Sequence, residues 1–217
     1  MQTLQTLYKN SNVPYGDRVK PSLISNILNH PLGSPAYFAT LYYRKSFDGN
    51  DLYGDELRDR WDITKVRKTH SFISKLIYKS FGDVPLWWFI ERHDDYEDKD
   101  GNTKKGHFHS HLIIGNIDDE ELENPSPYLM PLFYKDDDIG IPIGMRSGDI
   151  DQMKLLLLNA CIRQAKWVGK HPASLKLDPI VLTEFENVLT YCIKDIKKAD
   201  DFNIVIDWEN SSFYKPA

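Results

Sequence analysis

Residues 107–114 read His-Phe-His-Ser-His-Leu-Ile-Ile, three histidines at alternate positions running into an apolar stretch. A β-strand sends alternate side chains to the same face. That spacing predicts His107, His109 and His111 in one row, backed by Phe108, Ser110, Leu112 and Ile114 on the other face. Three of the chain's seven histidines fall within these few residues. A row of imidazoles on a rigid strand suits the ligand needs of a divalent metal. The segment is therefore both a sheet element and a candidate metal site.

The sequence on either side supplies strands to pair with it. Residues 84–92 (VPLWWFIER) are β-prone, and an acidic turn containing Asp100-Gly101-Asn102 joins them to the histidine strand as a long-looped hairpin. Residues 36–44 (AYFATLYYR) form a third, aromatic strand. Residues 174–180 (SLKLDPI) alternate as a short fourth strand, and 202–208 are expected as a last one. Helical spacing marks 64–81, with Val66, Ile73, Leu76 and Ile77 on one side and a stop at Gly82. An apolar helix is expected over 149–168. Another runs from Thr183, with Glu186 three residues on as a capping box, to about Lys198. Residues 118–148 are loop-rich and unassigned, and 1–35 read as an irregular or loosely helical arm. Strands and helices mix without strict βαβ alternation, which favours an α+β fold with a central antiparallel sheet of about five strands flanked by helices.

Composition narrows the class. The chain has 217 residues, 41% hydrophobic and 27% charged, enough for an ordinary core. No apolar run approaches the roughly 18–20 residues of a membrane span. The N-terminus lacks the basic-then-apolar pattern of a secretory signal. Cys161 and Cys192 both sit in apolar helical patterns rather than in a disulfide framework, so a reducing cytoplasm is expected. The net charge of −5 argues against broad non-specific nucleic-acid binding. Its distribution softens that objection, because acids cluster in expected loops and bases on expected helices, as at Lys65, Arg67, Lys68, Lys75 and Lys79.

Two further pieces carry chemistry. Alternation along 84–92 puts Trp87, Phe89 and Glu91 on one face, and hairpin pairing brings Glu91 beside the histidines. Two imidazoles and one carboxylate make an open facial site that suits Mg²⁺ or Mn²⁺ with a phosphate oxygen as another ligand. On the late helix Phe185, Leu189, Cys192 and Ile196 form the apolar stripe. Tyr191, Lys194 and Lys198 fall on a different flank, presenting a phenol beside ammonium groups.

In this order the segments resemble the HUH family of single-strand DNA endonucleases, which includes rolling-circle replication initiators, relaxases and transposases. Phe38-Ala39-Thr40-Leu41-Tyr42 is similar to the family's first, weak strand motif. Phe108-His109-Ser110-His111-Leu112-Ile113-Ile114 resembles its His-x-His motif, and Tyr191-Cys192-Ile193-Lys194 its Y-x-x-K motif on a helix. The resemblance spans 37–194.

It implies an RRM- or palm-like sheet, with His109, His111 and Glu91 binding Mg²⁺ or Mn²⁺ and His107 as an outer or exchangeable ligand. Tyr191 would be the nucleophile that forms a 5′-phosphotyrosine, and Lys194 would orient the phenol or offset phosphate charge. A single tyrosine fits the one-tyrosine type. The substrate would be single-stranded DNA at an origin or nick site, with Tyr42, Arg44, Lys65, Lys68 and Lys198 as expected DNA contacts. The chain departs from the family at Ser110, where a bulky apolar residue is usual. There is no G-x-x-x-x-G-K-[ST] segment, so unwinding is expected from a separate host helicase. The expected layout is an arm over 1–35, the endonuclease domain over 36–210 with its insertion at about 118–148, and a tail over 211–217.

Two rivals stand beside this reading. Gly101 followed by His107-Phe108-His109 matches the opening of a cupin motif, but Ile113 and Ile114 stand where its glutamate belongs. A non-catalytic single-strand binder would use Trp87, Trp88, Tyr42 and Phe108 for base stacking.

Overall fold

In the computed structural model the described residues are 14–29, 36–43, 46–47, 50–51, 62–94, 96–97, 99–104, 108–115, 157, 160, 175–180, 184–197 and 201–211. Among them the chain runs from helix α1 (Tyr15–Leu28) to strand β1 (Ala36–Tyr42) and a minimal hairpin of β2 (Ser46–Phe47) and β3 (Asn50–Asp51). Helix α2 (Ile63–Phe81), strand β4 (Leu86–Arg92), a second small hairpin of β5 (Tyr96–Glu97) and β6 (Thr103–Lys104), and strand β7 (Phe108–Gly115) follow. Strand β8 (Leu175–Pro179), helices α3 (Phe185–Cys192) and α4 (Asp201–Val205), and a 3₁₀ turn at Trp208–Asn210 complete the described elements.

The long strands form one antiparallel sheet in the order β4-β7-β1-β8. Its two faces follow from the period-two alternation. Leu86, Trp88, Ile90, Leu112, Ile114, Tyr37, Ala39 and Leu41 point back against α2, whose Val66, Ile73 and Ile77 are fully buried. Leu157 and Ala160 join this rear core. Trp87, Phe89, Ile113, Phe38 and Ala36 point forward into a second core with α3, Ile193, Ile196, Val205 and Ile206. Each large apolar side chain so buried contributes about 2–3 kcal/mol, which pins the register because a one-residue slip would exchange the faces. The fold is mixed helix and antiparallel sheet.

Helix α2 begins where Asp62 accepts the Lys65 N–H at 2.8 Å, and it stops at Gly82, whose φ of +75° disfavours a side chain. Within the span expected as an irregular or loosely helical arm, the described part, 14–29, holds helix α1. Helix α1 packs Val19, Leu23, Ile24 and Ile27 onto the front core. A Cβ on Gly16 would lie 2.1 Å from the Ile196 carbonyl oxygen, so only glycine permits the approach.

Three expectations need correction. The strand expected at 202–208 is helix α4, then a single antiparallel bridge from Ile206 to Phe89, then the 3₁₀ turn. The sheet thus has four strands among the described residues, not about five. Here local polar contacts outweigh the β-propensity of Ile204-Val205-Ile206. Asp201 accepts the Lys197 N–H at 2.6 Å, and the buried Asp207 carboxylate is held by His70 and Asn210.

The late helix is also shorter than expected. It starts at Phe185 after Glu184, which makes no side-chain cap, and it ends at Cys192. Ile193 and Ile196 both turn inward, and the chain tightens through Lys194 N–H to Tyr191 O and Ile196 N–H to Ile193 O bonds. Lys194 therefore stands in a turn, not on the helix. Thr183, Arg44, His107, Lys198 and Cys161, the expected insertion at 118–148, and most of 149–168 lie outside the described residues.

Candidate metal centre

The site forms at one end of the front face, where three strands meet in register. Glu91 on β4 pairs with His109 on β7, which pairs with Tyr42 on β1. One step along, Phe89, His111 and Thr40 align in the same way. The Glu91 carboxylate sits between the two imidazoles, with Oε2 3.1 Å from His109 Nε2 and 3.1 Å from His111 Nε2. Its other oxygen, Oε1, accepts from Lys194 Nζ at 2.7 Å. One oxygen thus faces the histidines and the other holds the lysine.

This donor set fits a divalent cation. One ligand atom from each of Glu91, His109 and His111 lies within 4.8 Å of the others. Burial alone would raise the Glu91 carboxyl, but hydrogen bonds from Lys194 and His111 and the nearby positive charges hold it at about 2. Burial, with His111 alongside, lowers the His109 imidazole to about 4 against the pull of Glu91. Burial lowers His111 in the same way, opposed by its Glu91 bond. At neutral pH the cluster is one carboxylate and two neutral imidazoles, the protonation state that ligation requires.

The neighbours supply the next layer. Thr40 Oγ1 lies 3.1 Å from His111 Nδ1. The hydroxyl can accept from Nδ1–H or donate to a bare Nδ1, so either tautomer is satisfied and Nε2 can turn its lone pair to a metal. Phe38 stacks on His111 and Tyr42 on His109, with ring centroids 5.1 and 5.9 Å apart. His109 Nδ1 is buried with no hydrogen-bond partner among the described residues. An unsatisfied buried nitrogen costs about 1–3 kcal/mol in a purely structural residue. The nitrogen that His109 turns to Glu91 is the other one, Nε2.

Tyr191 closes the site from the last turn of α3. Its ring meets His111 edge-on with centroids 5.3 Å apart, and the side chain is 47% exposed. Lys194 Nζ lies 4.0 Å from the centre of that ring while bonding Glu91. Burial would lower the Lys194 ammonium, but Glu91 and Tyr191 raise it, so it stays charged. Helix α1 steadies this turn, with Lys20 Nζ donating to the Lys194 carbonyl at 2.6 Å.

The expected residues divide accordingly. Glu91, His109, His111, Tyr191, Lys194 and Tyr42 come together. Lys65 and Lys68 are on α2, which covers the opposite face of the sheet, so they do not border the cluster. Trp87 and Trp88 are both buried and offer no surface for base stacking.

Sequence reading missed His93, whose ring stacks on His109 with centroids 4.5 Å apart. It stands two residues beyond Glu91, so strand alternation could have found it. Thr40 lay inside a quoted strand motif, but only the register shows what it touches.

Behind β7 lies a second polar group. Ser110 Oγ is 2.7 Å from His70 Nε2, and His70 Nδ1 is 2.6 Å from Asp207 Oδ2. Burial lowers the His70 imidazole despite Asp207, so it is neutral. Its Nδ1–H donates to Asp207, Ser110 donates to Nε2, and Tyr43 donates to Ser110 at 2.7 Å. These are the contacts of a Ser-His-carboxylate triad. However, Ser110 and His70 are wholly buried and Asp207 is 1% exposed, so no substrate reaches the serine. The His70 ring, stacked on Trp88 with centroids 4.0 Å apart, occupies the space under β7 and explains a small polar residue between the two histidines.

No described helix is long and apolar enough to cross a membrane, and Cys192 is a buried free thiol. Comparison with protein-family models, with curated proteins and with solved structures returns no match for this chain.

Proposed function

We propose that the chain is a metal-dependent, tyrosine-nucleophile endonuclease of the HUH type that nicks and rejoins single-stranded DNA. The observation that carries this reading is the convergence of Tyr191 and Lys194 on Glu91, His109 and His111 from an element distant in sequence. A tyrosine with no further task would not need a lysine that also binds the cluster's carboxylate.

The three ligands would hold Mg²⁺ or Mn²⁺, which when bound polarises a phosphoryl oxygen as a Lewis acid. Tyr191 attacks the phosphorus through its phenol oxygen and gives up its proton to solvent, to which the half-exposed ring is open. The new bond joins the tyrosine to the 5′-phosphate of the downstream strand. The bond to the upstream 3′-oxygen breaks, and that oxygen takes a proton to become a free 3′-hydroxyl. No water adds, so the reverse attack by a 3′-hydroxyl reseals or transfers the strand. Lys194 keeps the phenol and Glu91 in one geometry and offsets negative charge at the phosphate. Tyr42, stacked on His109 at the open end, is the nearest aromatic for a base of the bound strand.

We assign the reaction to initiation of rolling-circle replication on a plasmid, phage or virus, with a separate helicase opening the duplex. Relaxase or transposase use would share the same chemistry. The open sheet with a helix on each face favours this reading over a cupin-like barrel. The buried tryptophans favour it over a passive stacking platform.

The test is incubation with single-stranded, origin-like oligonucleotides and Mn²⁺, followed by a denaturing gel. Wild-type protein should shift as a covalent adduct, and chelator or Tyr191→Phe should abolish the shift. Cleavage that survives either change contradicts the assignment.

A further inference from the structure

A cleft of about 530 Å³ opens beside the cluster, between the end of β4, the turn after α3, and α4. Its size falls among small-ligand sites, roughly 300–1,000 Å³. His93 is the shared wall, because it lines the cleft and stacks on His109. We infer that this cleft binds one nucleotide of the substrate strand, next to the scissile phosphate, and prefers a base with an exocyclic amino group. The inference rests on the proposed nickase reading for its place on the strand, but the cleft's chemistry can be tested without that reaction.

The lining is divided as such a ligand would need. Arg92 and Lys197 supply the cations that position a phosphate. Ile204 is 46% exposed here, an apolar wall suited to the face of a base. Asp94 and Asp195 supply acceptors, while the third carboxylate, Asp201, is already engaged by the Lys197 N–H at 2.6 Å. A carboxylate accepts from the amino groups of cytosine and adenine, whereas thymine presents a carbonyl oxygen at the same position. Two cations alone would suit any anion. Cations, acceptors and an apolar wall in one cleft describe a nucleotide.

The test uses the full chain with ¹³C-labelled isoleucine and valine methyls, titrated with dCMP, dTMP and inorganic phosphate. We expect dCMP to shift the Ile204 and Val205 methyls saturably in the millimolar range, at least about threefold tighter than dTMP. Ile77, in the rear core, should not move. Filling the cleft by Ile204→Trp should weaken dCMP about tenfold, read at Val205, with the melting temperature unchanged. Unmoved cleft methyls overturn the inference, as do shifts that phosphate alone reproduces or equal binding of dTMP. The two readings fail separately. A Tyr191 adduct without dCMP binding removes the cleft and leaves the nickase, whereas dCMP binding without any adduct keeps the nucleotide site and removes the nickase.

Discussion

On the front of β7 two imidazoles share one carboxylate, with an exposed tyrosine and a charged lysine at their edge. On its back a third imidazole joins a carboxylate and a serine, all sealed beneath α2. The residue types are nearly the same, and the rear imidazole contacts, at 2.6 and 2.7 Å, are shorter than the 3.1 Å contacts of each front imidazole with Glu91. The difference lies in what solvent can reach. At the rear each ring nitrogen and hydroxyl has a partner, which ties β7 to α2 and to the 206–211 segment, while Asp207 Oδ1 accepts no hydrogen bond among the described residues. At the front one nitrogen has no hydrogen-bond partner among the described residues, and the carboxylate sits among groups that a cation would rearrange. Histidine–carboxylate contacts do not by themselves mark a reactive site. Access does.

Substitutions that exchange stability for activity would break this contrast. The largest effect is expected at the rear, where His70→Ala strands the buried Asp207 carboxylate and should cost about 3–5 kcal/mol of unfolding free energy by denaturant titration. Well below its melting point that variant should nick within about threefold of the wild-type rate. At the front His111→Ala should do the opposite, lowering Mn²⁺ affinity and nicking at least about a hundredfold while the melting temperature moves by only about 3 °C. Calorimetric Mn²⁺ titration and thermal melts separate the two.

Thr40→Val sharpens the contrast by removing the hydroxyl that satisfies His111 Nδ1, and Mn²⁺ affinity should fall about tenfold. Gly16→Ala tests the support behind Lys194. The clash with the Ile196 carbonyl should destabilise the chain by about 1–3 kcal/mol, read in the same denaturant titration.

Acid acts on front and rear alike. His109, His111 and His70 all titrate below the ordinary histidine value near 6.5, so between there and about 4 the unfolded chain binds more protons than the folded one. Stability should therefore fall as the pH drops through that window, by about 5 °C or more in melting temperature. Glu91, held at about 2, extends the loss below its ordinary value near 4.5. Saturating Mn²⁺ should raise the upper part of the curve in the wild type without flattening it, since ligation holds the folded imidazoles unprotonated, and should not do so in His111→Ala.

The front site was legible because strand alternation fixes faces: once 107–114 and 84–92 are strands, His109, His111 and Glu91 share a side. Tyr191 was legible from its place off the apolar stripe of α3. The rear network was not. His70 lies on the buried stripe of α2 with Val66, Ile73 and Ile77, but its partner Asp207 is 137 positions away and sits in a segment that reads as a strand. Propensity misled there because the tertiary demand of one buried carboxylate outweighs three β-branched or apolar neighbours. The turn at Lys194 was equally hidden, since it follows from Ile193 and Ile196 both finding the front core.

The most direct test is peptide mapping of the covalent product. Protein trapped on single-stranded DNA with Mn²⁺ is digested with nuclease and protease, and the residual nucleotide mass is placed by fragmentation. The account predicts it on Tyr191, joined through a 5′-phosphate. Nucleotide on Tyr42, the other exposed tyrosine at the cluster, or no adduct under conditions that cut the strand, would contradict it.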